Sequence, residues 1–418
     1  MTASIRQYLV ITGNYWAFTL TDGALRMLVV LHFHKLGYSP LAIALLFIFY
    51  EFFGVVTNLV GGYLGARLGL NRTMNIGLFL QIVALVMLAV PAAMLTVPWV
   101  MAAQALSGIA KDLNKMSAKS GIKMLVPDDQ QGQLYKWVAI LTGSKNTLKG
   151  VGFFLGGVLL MSAGFTGAVV LMAAVLGLVW LASLFLLKQE LGKSKAKPKF
   201  REILSKSKAI NVLSAARMFL FGARDVWFVV ALPVYMATVF GWDHWKVGGF
   251  MASWIIGYGF VQTIAPRITG HTDGKSGAVL WAALLAVIPA SIAGALVVGW
   301  SAQLVVIGGL LLFGALFAIN SSLHSYLIVS YARGDGVSLD VGFYYMSNAA
   351  GRLLGTVLSG WVYQAYGLEA CLWISSGLLG AAAFLSLRLP KTEDTVQLFP
   401  VLEQSSQTHE TKGQHHDS

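Results

Sequence analysis

Long apolar runs alternate with short polar breaks along the whole chain, and each run reaches the roughly 20 residues that a helix needs to cross a bilayer. Twelve such runs cover residues 9–33, 40–65, 73–95, 97–118, 134–161 and 165–187, then 211–239, 245–267, 276–299, 302–331, 339–365 and 369–388. The longest internal break, 188–210, divides them six and six. The pattern predicts an all-α integral membrane protein of twelve transmembrane helices in two pseudo-symmetric six-helix bundles. Residues 1–187 form the first bundle, 188–210 a basic linker, 211–388 the second bundle, and 389–418 a polar tail too poor in apolar residues to fold alone. The first run carries Asp22 and Arg26 and has no small-residue cleavage site, so it reads as a retained helix and not as a signal peptide.

Composition agrees with lipid as the solvent. The chain is 56% hydrophobic and only 11% charged, with 45 glycines that suit closely packed membrane helices. A single cysteine, Cys371, excludes an intramolecular disulfide and a thiolate zinc cluster. With the N-terminus cytoplasmic, the loops and tails on that side hold 20 of the 30 lysines and arginines, the opposite side holds Lys35 and Lys246, and eight lie inside spans. The positive-inside rule therefore predicts a multi-pass protein of a cell (inner) membrane with both termini cytoplasmic. The linker, with Lys193, Lys195, Lys197, Lys199 and Arg201, is a cytoplasmic tether that can also touch anionic lipid. The net charge of +12 is explained by topology, and nucleic-acid binding is not needed to account for it.

The two halves repeat at an offset of 203 residues. Asp22 aligns on Asp225, Ser144 on Ser347, and Lys149, Gly152, Gly156 and Gly157 align without a gap on Arg352, Gly355, Ser359 and Gly360. Small residues every four positions let helices approach closely. A cation inside a span is costly and tends to face a water-filled path, so Lys149 and Arg352 form a paired candidate site across a pseudo-two-fold axis.

Other intramembrane charges extend that path. Span 1 carries Asp22 and Arg26 four apart on one face, where they can pair. Span 2 has Glu51 and Asn58, span 4 ends in Lys111, Asp112, Asn114, Lys115 and Lys119, and span 5 adds Lys145 and Asn146. Span 7 contributes Arg217, Arg224 and Asp225, and span 11 contributes Asn348. Eight bases in the spans face four acids, Asp22, Glu51, Asp112 and Asp225. The acids serve in coupling or in structural ion pairs, such as Asp22 with Arg26 and Asp112 with Lys115, because buried ions persist mainly when partnered. Pairing cannot neutralise the excess. Arg26, Lys115, Lys145, Asn146, Lys149, Arg217, Arg224, Asn348 and Arg352 are therefore candidates for binding a small anionic substrate such as a phosphate, arsenate or carboxylate. Lys111 and Lys119 can instead reach to water at the cytoplasmic interface.

Several local signals lead nowhere. Gly270-His271-Thr272-Asp273-Gly274-Lys275-Ser276 is one residue short of a phosphate-binding loop and follows a membrane helix where a strand is required. His409-Glu410 lacks a second histidine at zinc-protease spacing, and His409, His415 and His416 read as solvated tail residues. His32 and His34 can sense pH or simply pack at the interface. Asn71-Arg72-Thr73 is a glycosylation sequon on the cytoplasmic side. No nucleophile with a nearby base is visible, so no catalytic residue, metal or cofactor is expected, and the chain does not read as an enzyme.

Two resemblances sharpen the reading. Residues Gly62 to Arg72 (GYLGARLGLNR) are similar to the loop signature between helices 2 and 3 of the major facilitator superfamily, with Arg67, Gly69 and Arg72 in place and Ala66 where the signature has an acid. Gly152, Gly156 and Gly157 resemble its glycine-rich antiporter motif without the proline. More specifically, Thr12 to Met27 (TGNYWAFTLTDGALRM), Ala105 to Lys119 (ALSGIAKDLNKMSAK) and Thr142 to Gly150 (TGSKNTLKG) look like the ArsJ family of organoarsenical efflux permeases, a likeness that spans about Arg6 to Pro390. It implies export of 1-arseno-3-phosphoglycerate, formed when a glyceraldehyde-3-phosphate dehydrogenase uses arsenate in place of phosphate, and hence arsenate resistance in partnership with that enzyme. The residues alone leave open another organophosphate or organic anion as cargo, or a non-transporting receptor. A receptor has little use for a duplicated polar path.

Overall fold

A computed structural model of the protein describes residues 3–38, 46–127, 130–187, 191–194, 207–270, 274–334 and 336–390. Most of the basic linker, the start of span 2, residues 271–273 and the tail with its histidines lie outside the described residues. The helices are α1 (Ala3–Lys35), α2 (Ile48–Leu68), α3 (Leu70–Leu88), α4 (Val97–Leu125), α5 (Gln131–Leu186), α6 (Lys208–Phe228), α7 (Ala231–Thr238), α8 (His244–Thr269), α9 (Gly274–Val297), α10 (Ala302–Tyr331) and α11 (Val337–Ser386).

Two of these elements each contain a pair of helices joined across a kink. Within α5 the chain turns at Gly164, with φ 67° and ψ −178°, and within α11 at Gly367, with φ 81° and ψ −175°. A side chain rarely adopts that backbone, and the two glycines stand 203 residues apart, the offset read from the sequence. Span 7 is instead broken into α6 and α7. Pro233 cannot donate to the carbonyl of Val229 and its ring crowds that carbonyl, so the helix stops there and restarts. At this break the N–H of Ala231 donates to Ser359 Oγ at 3.1 Å. At the other extreme α4 runs past the expected end at residue 118 to Leu125.

Seven helical stretches, among them α5, α11 and the joined α6–α7, are long and apolar enough to cross a membrane. Helices α1, α2 and α4 are outside that set, and they are the ones that carry Asp22, Arg26, Glu51 and the Lys111-to-Lys119 stripe. Apolar side chains face outward, with Met161 86% exposed, whereas Asp225 is fully buried. This inverted polarity is what lipid as solvent requires.

Glycines set the closest helix pairings. Gly152 and Gly156 of α5 lie against the backbone of α1 at Leu20 and Ala24, and Gly351 and Gly355 of α11 lie against the backbone of α6 at Met218 and Gly222. The halves join through α2 on α11 and α5 on α8. Ser338 Oγ donates to the carbonyl of Gly62 at 2.7 Å, Tyr326 Oη and Ser330 Oγ each donate to Gln131 Oε1 at 3.1 Å, and the rings of Tyr135 and Tyr326 stack at 4.7 Å. All of these sit at the end that carries the start of α1. Among the described residues no hydrogen bond or ion pair joins the halves at the opposite end, near Gly164 and Gly367. At the bonded end residues 191–194 of the linker dock on the α2–α3 turn, where Leu70 N–H donates to Leu191 O and Ser194 N–H to Ala66 O, both at 2.8 Å.

Candidate functional site: a basic cavity between the halves

Between the two halves lies a cavity of about 350 Å³, within the roughly 300–1,000 Å³ typical of small-ligand sites. Helices α1, α2, α4 and α5 supply one wall, and α6, α8, α10 and α11 the other. Nine bases line it: Arg26, Lys111, Lys115, Lys119, Lys145, Lys149, Arg217, Arg224 and Arg352. Three acids, Asp22, Glu51 and Asp112, line it as well, and Asp225 lies behind the wall against Arg224 and Arg352. Nine formal positive charges against four negative leave an excess of five. All the candidate side chains read from the sequence converge here, Asn146 and Asn348 included.

The arginines and acids form a continuous ladder. Arg26 Nη2 meets Glu51 Oε1 at 2.8 Å, Glu51 Oε2 meets Arg352 Nη2 at 3.6 Å, Arg352 Nε donates to Asp225 Oδ2 at 3.2 Å, and Asp225 Oδ1 meets Arg224 Nη2 at 2.5 Å. The expected i,i+4 pair of Asp22 with Arg26 is not made. Arg26 lies over the ring of Tyr50 at 4.6 Å and reaches to Glu51, while Asp22 accepts from Tyr50 Oη at 2.7 and 2.9 Å. The expected pair of Asp112 with Lys115 is present at 2.5 Å, with Lys111 3.9 Å from the other oxygen.

The lysines do not reach to an interface. Lys111 sits over the Tyr50 ring at 3.8 Å, Lys115 over the Tyr345 ring at 4.7 Å, and Lys119, only 2% exposed, donates to Thr142 Oγ1. The faces of these rings carry partial negative charge and hold the ammonium groups in place. Arg217 donates to Asn348 Oδ1 at 3.0 Å and to Ser321 O at 3.2 Å, and lies over Phe221 at 4.1 Å. Asn146 donates to Gln262 Oε1 at 2.5 Å across the two halves.

Lys145 and Lys149 differ from the rest. Both are half-buried in the wall, one helical turn apart on α5, and neither has a hydrogen bond or a carboxylate within 4.0 Å among the described residues. The symmetry of Lys149 with Arg352 thus holds in position and fails in pairing, since Arg352 is held by two carboxylates. Tyr50, Tyr345, Phe221 and Gln262 are site residues that the sequence reading missed. Aromatic residues are common throughout the spans, and only their position beneath a cation separates these from lipid-facing ones.

Chemically the cavity can hold a multiply charged anion and supplies no reacting group. Among the described residues no cluster of histidine, cysteine and acidic side chains is placed to hold a metal ion.

Comparison with curated protein sequences finds no significant match. Solved structures share the fold at low identity. The human organic anion transporter MFSD10 (TETRAN) superposes with a TM-score of 0.72 at 17% identity, covering 92% of this chain and 100% of that one. The proton:xylose symporter XylE bound to 6-bromo-6-deoxy-D-glucose gives 0.75 at 15%, covering 95% and 99%. The transporter FucP in the outward conformation gives 0.72 at 12%, covering 92% and 99%. The sequence profile of the Major Facilitator Superfamily matches residues 9–339. With a profile match over most of its length and a central polar cavity between two helical halves, this chain belongs to the Major Facilitator Superfamily and is a multi-pass secondary transporter.

Proposed function

We propose that the protein exports 1-arseno-3-phosphoglycerate and thereby confers arsenate resistance. The observation that carries this reading is the cavity's excess of five formal positive charges, with Lys145 and Lys149 lacking both a hydrogen bond and a carboxylate within 4.0 Å among the described residues. Desolvated cations without partners are costly, and an anion that visits the site removes that cost. The cargo carries an arsenate and a phosphate at its two ends, matched to basic groups on both walls. The three segments with the ArsJ likeness lie in α1, α4 and α5 and supply eight of the thirteen charged groups of the site, Asp22, Arg26, Lys111, Asp112, Lys115, Lys119, Lys145 and Lys149. MFSD10, which shares the fold, is an organic anion transporter.

The positive-inside bias supports cytoplasmic termini in a cell inner membrane, so the end where the halves are bonded faces the cytoplasm, and the opposite end, which this reading takes as the mouth of the cavity, faces outward. Export of a multiply charged anion is then aided by the inside-negative potential, by about 2.3 kcal/mol per charge per 100 mV. The functional partner is a glyceraldehyde-3-phosphate dehydrogenase that makes the cargo from arsenate.

The test is resistance in an arsenate-sensitive host that expresses the protein, the dehydrogenase, both or neither. Resistance that requires both is expected. A well-expressed protein that gives no resistance beside an active dehydrogenase would overturn the substrate, and efflux of a different organophosphate would identify the alternative cargo.

A further inference from the structure

Resting on that reading, we propose that Glu51 is a tethered counter-anion that occupies Arg26 and Arg352 while the cavity is open at its mouth, so that substrate and Glu51 exchange places on these two arginines. The argument starts from the ladder. Arg26 belongs to α1 and Arg352 to α11, in opposite halves, and the Glu51 carboxylate gives one oxygen to each. The contact of Glu51 with Arg352 is the only ion pair between the halves among the described residues.

The three carboxylates that hold bases here are not equivalent. Asp225 lies behind the wall, and Asp112, though it lines the cavity, is only 1% exposed, so both act as fixed anchors. The Glu51 side chain is 35% exposed to the cavity, so a solute can reach the groups it holds. A phosphate or arsenate offers three oxygens to the same guanidinium forks and is the stronger ligand for them. It cannot join Glu51 there, because a dianion would then stand within a few ångströms of a carboxylate in a poorly hydrated site.

Two consequences follow from this competition. Substrate on the arginines frees Glu51 and removes an ionic tie between the halves, which links binding to their relative movement. With the mouth open, Glu51 holds Arg26 and Arg352 and leaves the cargo only the bases that Glu51 does not hold, which favours release outward.

The experiment uses purified full-length protein, with glycerol 3-phosphate and inorganic phosphate as probes in equilibrium binding, and vesicle transport beside it. Glu51→Gln keeps the shape and removes the charge. It is expected to bind glycerol 3-phosphate at least tenfold more tightly than the unaltered protein, with KM and turnover both lowered at least tenfold. Glu51→Asp, too short to reach both arginines, should shift binding in the same direction by a smaller factor, and it carries the test should the glutamine variant fail to fold. Binding to the folded variants that is equal to or weaker than that of the unaltered protein would overturn the exchange and leave the anion-transport reading standing. Failure of unaltered and variant proteins alike to bind either probe would overturn both.

Discussion

Lys149→Gln separates a substrate contact from a structural one. The ammonium sits in the cavity wall with no hydrogen bond and no carboxylate within 4.0 Å among the described residues, so removing its charge strands nothing. Fold stability should stay within about 0.5 kcal/mol of the unaltered protein or rise slightly, since an unpaired cation is relieved. Affinity should fall. Two unit charges at about 4 Å attract by about 4 kcal/mol at an effective dielectric of 20, which sets an upper bound. A hydrogen bond to a charged group contributes about 1.5–3 kcal/mol net, which is roughly 10- to 100-fold in Kd. Binding of glycerol 3-phosphate to purified protein, with thermal unfolding measured on the same sample, checks both parts. Unchanged affinity in a well-folded variant would refute the lysine site, and a large loss of thermal stability would show that Lys149 has a structural partner. Lys149→Arg should keep partial activity.

Four further outcomes are expected. Arg352→Gln should destabilise the protein by about 3 kcal/mol, the lower end of the range for a broken buried pair given its partial exposure, because Glu51 and Asp225 both lose a base; thermal unfolding reads this. Arg352→Lys should recover only part of it, since one ammonium cannot reproduce a guanidinium fork between two acids. Gly156→Ala should cost about 1–3 kcal/mol, because the new methyl meets the backbone of Ala24, whereas Gly157→Ala, whose nearest neighbour would be Leu31 Cδ1 at 3.8 Å, should be neutral in the same assay. If protons couple to transport, at least one of Asp22→Asn, Glu51→Gln and Asp225→Asn should abolish the pH dependence of flux in vesicles, and unchanged profiles in all three would remove these acids as carriers. A reporter fused after Lys197 should be cytoplasmic and one inserted at Ser162 should be external, with the reverse result overturning the orientation.

The all-helical membrane fold and the charges that line the cavity were legible in the sequence because the bilayer penalises anything else. A base such as Lys149 in an apolar run is visible by its cost alone. Even the kinks at Gly164 and Gly367 obey the offset found in the residues. Partner choice was not legible. Asp22 and Arg26 share a helix face, yet Arg26 turns to Glu51, 25 residues away, because Tyr50 takes Asp22. That outcome depends on how α2 packs on α1, which periodicity does not encode. Lys119 looked like the end of a span, but the polar cavity lets α4 continue to Leu125 and bury it. The inequality between Lys149 and Arg352 arises the same way: two carboxylates stand within 4.0 Å of Arg352 and, among the described residues, none within that distance of Lys149.

The most direct measurement is flux from vesicles. Proteoliposomes that enclose glyceraldehyde-3-phosphate dehydrogenase, its triose phosphate, its nicotinamide cofactor and labelled arsenate should release label only when all are present and the protein is in the membrane, and Lys149→Gln should slow that release. Equal release of label without the triose phosphate, or none with the complete mixture and a folded protein, would contradict the account.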